Sequence, residues 1–468
     1  EIPQMVFLFL IFYTLQEITF QMKKIFKFLG VLLVLVVVYL GVTTYPKLDI
    51  VSGFSAKSVA SGHFIDGRSL EVIESGDNDI DNVRLATNEI HEEGKFVISS
   101  AFGLKKRKAL YREGLGATLI NDAFDETQPY LVPKRNKTAL NLPFPYGNLE
   151  PQDRVFPEVN YEKLNQAVAN AFDKKGEKTK RTRALLVIYK DKIIAEKYEA
   201  GFSKNTKFLG WSMTKSITAT YFGILQKQGK IDITKPVGLP EWAKDERSKI
   251  TLHHLIQMNS GLEWEEDYGK ICDVTEMLFL AEDMPQVQLE KPAAYAPNTH
   301  WNYSSGTTNL LSGILRRQFN NHQEYLDFWY ASLIDKIGMH SMLIEPDMAG
   351  NFVGSSYGWA TARDWAKFGL LYLHEGNWNG EQIFDKSWAK YVATPTPTSN
   401  GAYGGHFWLN AGGKYPDVPK DMYYASGYQG QKVIIIPSKE MVIVRFGLTE
   451  DEDFDFNGMM KGVISSIK

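Results

Sequence analysis

The sequence predicts an α+β protein: an antiparallel sheet flanked by helices, a helical lobe, and a transmembrane helix ahead of both. Three observations carry this reading. The first is a pair of β-rich runs at 184–201, "ALLVIYKDKIIAEKYEAG", broken by the turn residues Lys190, Asp191 and Lys192. The second is a later hairpin at 431–447, "QKVIIIPSKEMVIVRFG", turning at Pro437-Ser438. The third is the long, mostly helical stretch between them. Two strands early and two or more late imply one sheet that collects strands from both ends, with the middle of the chain as a separate lobe. A cleft between sheet and lobe is the expected place for a site.

Bulk properties set limits. At 468 residues the chain is longer than one ordinary domain needs. Its formal net charge of −3 gives no electrostatic case for nucleic acid. A lone cysteine, Cys272, excludes both an internal disulfide and a thiolate metal cluster.

At the amino end, Lys23, Lys24 and Lys27 precede an apolar run from Phe28 to Val42. No Ala-x-Ala site follows, so 22–45 reads as an uncleaved signal anchor in preference to a cleaved signal peptide. Lysines stay cytoplasmic by the positive-inside rule, which predicts a membrane-anchored protein with its catalytic domain extracytoplasmic, in the periplasm. The chain begins with Glu1, and Met22 followed by two lysines reads like a translation start. Residues 1–21, with the apolar run 5–15, are therefore read as an upstream extension.

Residues 46–153 read as a lead segment and linker. "FSAKSVASGHFIDGRSLEVIES" at 54–75 predicts helix, turn and helix, and "KKRK" at 105–108 reads as a solvated face. The turn-rich stretch 133–153 reads as a linker or a surface-hugging strap. The main domain spans 154–468. It opens with an amphipathic helix from Tyr161, with Leu164, Val168 and Phe172 on one side, and closes with a helix over about 454–467.

The chemistry centres on "GWSMTKSITATYFGIL" at 210–225, a helix burying Ile217, Tyr221, Ile224 and Leu225. Its first turn holds Ser212 and Lys215, which are neighbours at i and i+3. A serine hydroxyl needs a base to become a nucleophile. A lysine serves only if burial lowers its pKa from about 10.4. Ser-x-x-Lys arises by chance about once or twice in a chain this long. A second copy, Ser387 to Lys390, reads as a surface helix. Downstream, "WNYSSGTTNLLSGIL" at 301–315 places Tyr303 as a proton relay or as a core tyrosine. "YYASGYQGQKVIII" at 423–436 puts Gly427 and Gly430 at a strand, either to let substrate approach an edge N–H or as a bulge without a role.

In this order the three stretches resemble the serine β-lactamase and penicillin-binding-protein superfamily, most of all its class C-related esterases and 6-aminohexanoate-dimer hydrolases. The family's Ser-x-x-Lys falls on Ser212 to Lys215, its Tyr-x-Asn on Tyr303-Ser304-Ser305, and its Lys-Thr-Gly on Ala425-Ser426-Gly427. "LIQMNSGLEW" at 255–264 and "YGWATARDWAKFGLLYLHEGNWNGEQIF" at 357–384 add to the likeness, which covers about 155–468, and "SGHFIDGR" at 61–68 adds more weakly. The resemblance implies a β-lactamase/transpeptidase-like fold, an acyl-enzyme on Ser212, Lys215 as base and Tyr303 assisting. It implies an oxyanion hole from the N–H groups of Ser212 and Tyr428, and substrate contacts at Ser305, Ser426 and Gly427. No metal and no cofactor are implied.

The departures shape the substrate. Ser305 replaces the usual Asn, and Ala425 stands where β-lactamases and peptidases keep a cation. That loss weakens binding of a carboxylate by roughly 1.5–3 kcal/mol. The expected partner is a small-molecule ester or amide, and the expected function is a serine hydrolase. A cell-wall DD-peptidase and a non-catalytic acylated sensor are the alternatives.

Other features point elsewhere. His253-His254 reads as a structural helix, not a metal site. Cys272 reads as a packed thiol, and Trp359, Trp365, Phe407 and Trp408 as mostly core, with Trp408 or Tyr428 lining the cleft.

Overall fold

The computed structural model describes every residue except Glu1, Asn148, Asp153 and Glu177. Both apolar runs of the amino end enter one helix, α1 (Ile2–Thr43), with no buried residue. Neither proline nor glycine interrupts residues 4–29, so nothing divides the stretch at Met22. The helix is long and apolar enough to cross a membrane.

α2 (Lys47–Asp66) ends on Gly67, whose φ of 72° gives a left-handed cap. α3 (Leu70–Glu74) follows, its first turn capped by Ser69. Next comes an antiparallel meander of β1 (Ala86–His91), β2 (Phe96–Ala101), β3 (Leu104–Arg112) and β4 (Gly116–Ile120). The sequence reading assigns no strands here. The buried face is built from small residues, with Val97, Ala109 and Ala117 packing on Ala56, Val59 and Ala60 of α2. The basic run 105–108 alternates across both faces of β3, with Lys105 and Arg107 on the side of Ala109, so hydrophobic alternation is faint.

This lead unit is docked on the rest of the chain. Lys57 of α2 pairs with Glu345, with side chains 6% and 0% exposed, and the Ala117 N–H donates to Glu345 Oε1 at 2.7 Å. The irregular segment after β4 runs as a strap. Arg135 pairs with Asp335 at 2.7 Å and donates to the Met342 carbonyl at 2.9 Å.

The main domain begins with α4 (Tyr161–Asn170), β5 (Thr182–Tyr189) and β6 (Lys192–Tyr198). The two-residue turn Lys190-Asp191 has φ of 46° and 62°, the positive values a tight hairpin requires. Arg183 of β5 pairs with Asp77 at 2.8 Å, a second tie to the lead unit. β7 (Lys207–Leu209) leads into α5 (Thr214–Lys227). The lobe is built from α6 (Leu252–Ile256), α7 (Asp273–Phe279), α8 (Met284–Leu289), α9 (Ser305–Arg316) and α10 (His322–Trp329). β8 (Leu343–Ile344) and β9 (Gly358–Thr361) join β7 in a small sheet. α11 (Ala362–Leu373), a ribbon of β10 (Asn377–Trp378) and β11 (Glu381–Gln382), and α12 (Lys386–Val392) come next. β12 (Trp408–Leu409), β13 (Tyr423–Gly427), β14 (Gln431–Ile436), β15 (Met441–Gly447) and α13 (Phe456–Ser465) complete the chain.

The main sheet runs β12-β13-β14-β15-β5-β6, antiparallel throughout, so the two hairpins meet at β15 and β5. Its central strands are apolar on both faces. Leu186, Val433, Ile435, Val442 and Val444 share a core with α5 and α11. Leu185, Val187, Ile434, Ile436 and Ile443 share another with α4 and α13. That is the period of two expected of a strand buried on each side.

Candidate active site

A short turn joins β7 to α5 and carries Trp211 and Ser212. Trp211 holds a φ of 47°, a left-handed conformation costly for a bulky residue. Ser212 is half-buried and Lys215 is 1% exposed. The helical register brings Lys215 Nζ to 2.8 Å from Ser212 Oγ. The same nitrogen lies 2.9 Å from Ser305 Oγ and 3.0 Å from the Ser355 carbonyl oxygen.

The polarity of these contacts is fixed by their neighbours. The Ser305 hydroxyl donates to Glu266 Oε1, and the Ser305 N–H donates to Glu266 Oε2 at 2.8 Å. Ser305 Oγ therefore accepts from Lys215, and the Ser355 carbonyl can only accept. A neutral amine has two N–H donors and one lone pair. With both donors engaged, the lone pair is aimed at the Ser212 hydroxyl. Burial pushes the Lys215 ammonium down to about 8, opposed by the negative charge of Glu266.

Glu266 escapes sequence reading. It sits in the acidic run Glu265-Glu266-Asp267, which looks like a solvated surface. Here it closes on the first turn of α9, where free N–H groups favour a carboxylate, and it accepts the Trp264 indole N–H as well. The Tyr268 hydroxyl also donates to it, at 3.2 Å.

Tyr303 stands over the pair, its ring centroid 4.9 Å from Lys215 Nζ and its hydroxyl interacting with Ser212. Burial, reinforced by Glu266, raises the phenol far above its ordinary value, so it is a neutral donor and not a phenolate. Trp408, with its ring 5.3 Å from that of Tyr303, and Tyr428, edge-on to Trp211 at 5.7 Å, flank the site. His406, buried behind α5, is kept neutral and engages Thr308 and the Ile256 carbonyl.

On the other wall, β13 approaches the Trp211–Ser212 turn closely. A Cβ at Gly427 would stand 2.1 Å from the Gly210 carbonyl oxygen, so only glycine fits. β12 pairs only with Tyr423 and Tyr424, and among the described residues no strand covers the Ala425–Gly427 edge. The strand then turns sharply through Gln429 and Gly430, at φ of 60° and 76°. Arg445 fixes that turn by donating to the carbonyls of both. This places the Tyr428 backbone beside the start of the helix turn at Ser212, whose first N–H groups lack intrahelical partners.

The three positions expected to contact substrate are Ser305, Ser426 and Gly427. Ser305 is fully buried behind Lys215. Strand alternation turns Ser426 to the α13 face, where its Oγ accepts from Lys432 at 3.2 Å. Gly427 contributes the close approach described above. Lys432, also missed by sequence reading, is 2% exposed, and its Nζ lies 4.4 Å from the Phe456 ring. Ala425 points into the core shared with α5, so position 425 itself supplies no cation. Lys390 of the second Ser-x-x-Lys is exposed on α12. His254 caps α6, and His253 Nδ1 lies 3.0 Å from the Tyr391 hydroxyl.

A two-lobed fold with this serine turn is the architecture of a serine-hydrolase-type protein. Residues 168–457 match the Beta-lactamase family, and the chain belongs to that family. It is 23% identical over 314 residues to the 6-aminohexanoate-dimer hydrolase of Paenarthrobacter ureafaciens, an alignment covering 61% of this chain and 78% of that one. The fold is shared with a family VIII carboxylesterase (TM-score 0.50, 16% identity, 68% of this chain and 99% of that one). It is shared also with a hydrolase with promiscuous acyltransferase activity (TM-score 0.53, 12% identity, 65% and 98%).

Proposed function

We propose that the protein is a serine hydrolase that cleaves a small-molecule ester or amide through an acyl-enzyme on Ser212. One observation carries this reading: the Lys215 nitrogen, its two N–H donors engaged by Ser305 and Ser355, lies 2.8 Å from Ser212 Oγ. In the proposed step, Ser212 Oγ attacks the acyl carbon while its proton passes to Lys215 Nζ. The N–H groups of Ser212 and Tyr428 hold the resulting oxyanion. The proton then moves to the leaving oxygen or nitrogen with the Tyr303 hydroxyl as relay, and the bond to the leaving group breaks. Water attacks the acyl-serine, giving a proton to Lys215, and that proton returns to Ser212 Oγ as the acid departs.

Residues 22–45, most of which lie in the helix Ile2–Thr43, are read as the membrane anchor, with the hydrolase domain on the extracytoplasmic, periplasmic side because Lys23, Lys24 and Lys27 remain cytoplasmic. A cell-wall peptidase is less favoured, since Ala425 itself supplies no cation for a substrate carboxylate. The test is Ser212→Ala: turnover of p-nitrophenyl acetate and labelling by a fluorophosphonate should both vanish. Retained turnover rejects the assignment.

A further inference from the structure

The geometry points to an acyl-chain site next to Ser212, filled by the tail of a membrane-borne ester. The inference rests on the proposed acylation of Ser212. A cavity of about 180 Å³ lies between the start of α2 and the turn that carries Trp211. Leu48, Val51 and Phe54 of α2 face Phe279, Trp211 and Tyr428 across it. These side chains form a continuous apolar wall. The Phe54 ring lies 5.5 Å from Phe279 and 5.9 Å from Trp211, Trp211 lies 5.7 Å from Tyr428, and Tyr428 lies 5.9 Å from Tyr268. The inner wall includes Trp211, the residue before Ser212, and Tyr268, which donates to the Glu266 carboxylate that Ser305 engages.

The outer end has a different character. Thr44 and Lys47, which line it, lie at the foot of α1, the helix long and apolar enough to cross a membrane. Phe102 and Leu85 at the same mouth are 67% and 46% exposed, and neighbouring Tyr45 is 45% exposed. Exposed aromatic and aliphatic side chains beside such a helix suit the membrane interface. A tail entering here passes from the bilayer surface to the serine without crossing open water.

Size and chemistry fix the class of ligand. An apolar cavity of about 150 Å³ binds benzene, so this one takes an apolar group of about six carbons. The charged residues of its lining, Lys47, Asp81 and Lys270, stand at the rim, and Lys270 is already paired with Glu265. A tail ending in an ammonium or carboxylate would bury its charge without a partner, which is costly. An uncharged acyl chain meets no such penalty.

The test uses the full chain in detergent micelles and in phosphatidylcholine vesicles. With p-nitrophenyl acetate and octanoate, kcat/KM should favour octanoate at least tenfold, since each buried methylene is worth roughly fourfold. Val51→Trp, which fills the cavity, should lower that ratio at least tenfold. Independently of any variant, an octyl fluorophosphonate should label Ser212 at least tenfold faster than a methyl one. In vesicles, hydrolysis of an embedded decanoyl ester should follow its surface mole fraction. Preference for acetate, equal labelling by the two fluorophosphonates, or an unchanged ratio in folded Val51→Trp overturns the tail site. A rate that follows only bulk ester concentration overturns supply from the membrane. Failure of both fluorophosphonates to label Ser212 instead rejects the proposed hydrolase chemistry itself.

Discussion

Glu266→Gln removes one negative charge from the far side of the Ser305 hydroxyl and leaves Lys215 itself untouched. Lys215 Nζ is 2.9 Å from Ser305 Oγ, and Glu266 Oε1 is 2.5 Å beyond it. The charges are thus no more than about 5.5 Å apart, worth at least about 3 kcal/mol, or about two pH units, at an effective dielectric of about 20 before screening. The carboxylate is half-exposed, so solvent reduces this to a shift of about one unit. The sign is definite. Glu266 favours the ammonium, so its removal lowers the Lys215 value below the present value of about 8. The neutral amine is the competent base, so kcat/KM rises with pH through that value. At pH 7 about a tenth of the native chain carries a neutral Lys215, against about half of the variant. The assay is kcat/KM for p-nitrophenyl acetate from about pH 5 to about pH 10. The inflection should move from about pH 8 to about pH 7, with a lower plateau because a weaker base is less effective. An inflection that stays in place or moves upward refutes the polarity argument.

Three further outcomes follow from the same geometry. Tyr303→Phe, which deletes the neutral phenol beside Ser212, should lower kcat by about 10²–10³-fold with KM little changed in steady-state kinetics; an unchanged kcat removes Tyr303 from proton transfer. Gly427→Ala puts a methyl group 2.1 Å from the Gly210 oxygen, forcing β13 off the serine turn, so ester turnover should fall at least tenfold and thermal unfolding should begin at a lower temperature. Lys57→Met strands the buried Glu345 carboxylate and should cost about 3–5 kcal/mol in chemical denaturation, most of it recovered when Glu345→Met is added; native-like stability of the single variant would show that the lead unit contributes nothing to the fold.

The parts of this architecture legible in the sequence are those in which burial leaves a continuous mark. β5 and β14 are apolar on both faces and bounded by turn residues, so their hairpins stand out without structural help. The i, i+3 spacing of Ser212 and Lys215 is enough to place them together. What is hidden is of two kinds. β1–β4 bury alanines and a valine against α2, and the basic run of β3 occupies both of its faces, which erases the alternation that marks a strand. Glu266 is one carboxylate in an acidic run, and only the fold decides that it turns inward to the start of α9. Ser426 shows what strand alternation adds to spacing. Spacing along the chain puts it in the site, while strand alternation sends its side chain to Lys432 on the other face.

Titrating Lys215 itself tests the central claim most directly. With lysine carbon-13 labelled at Cε, the resonance that disappears in Lys215→Met should titrate with a midpoint of about 8. A midpoint near the free-lysine value of about 10.4 would leave an ammonium beside Ser212 at every working pH, and Lys215 could not serve as the base.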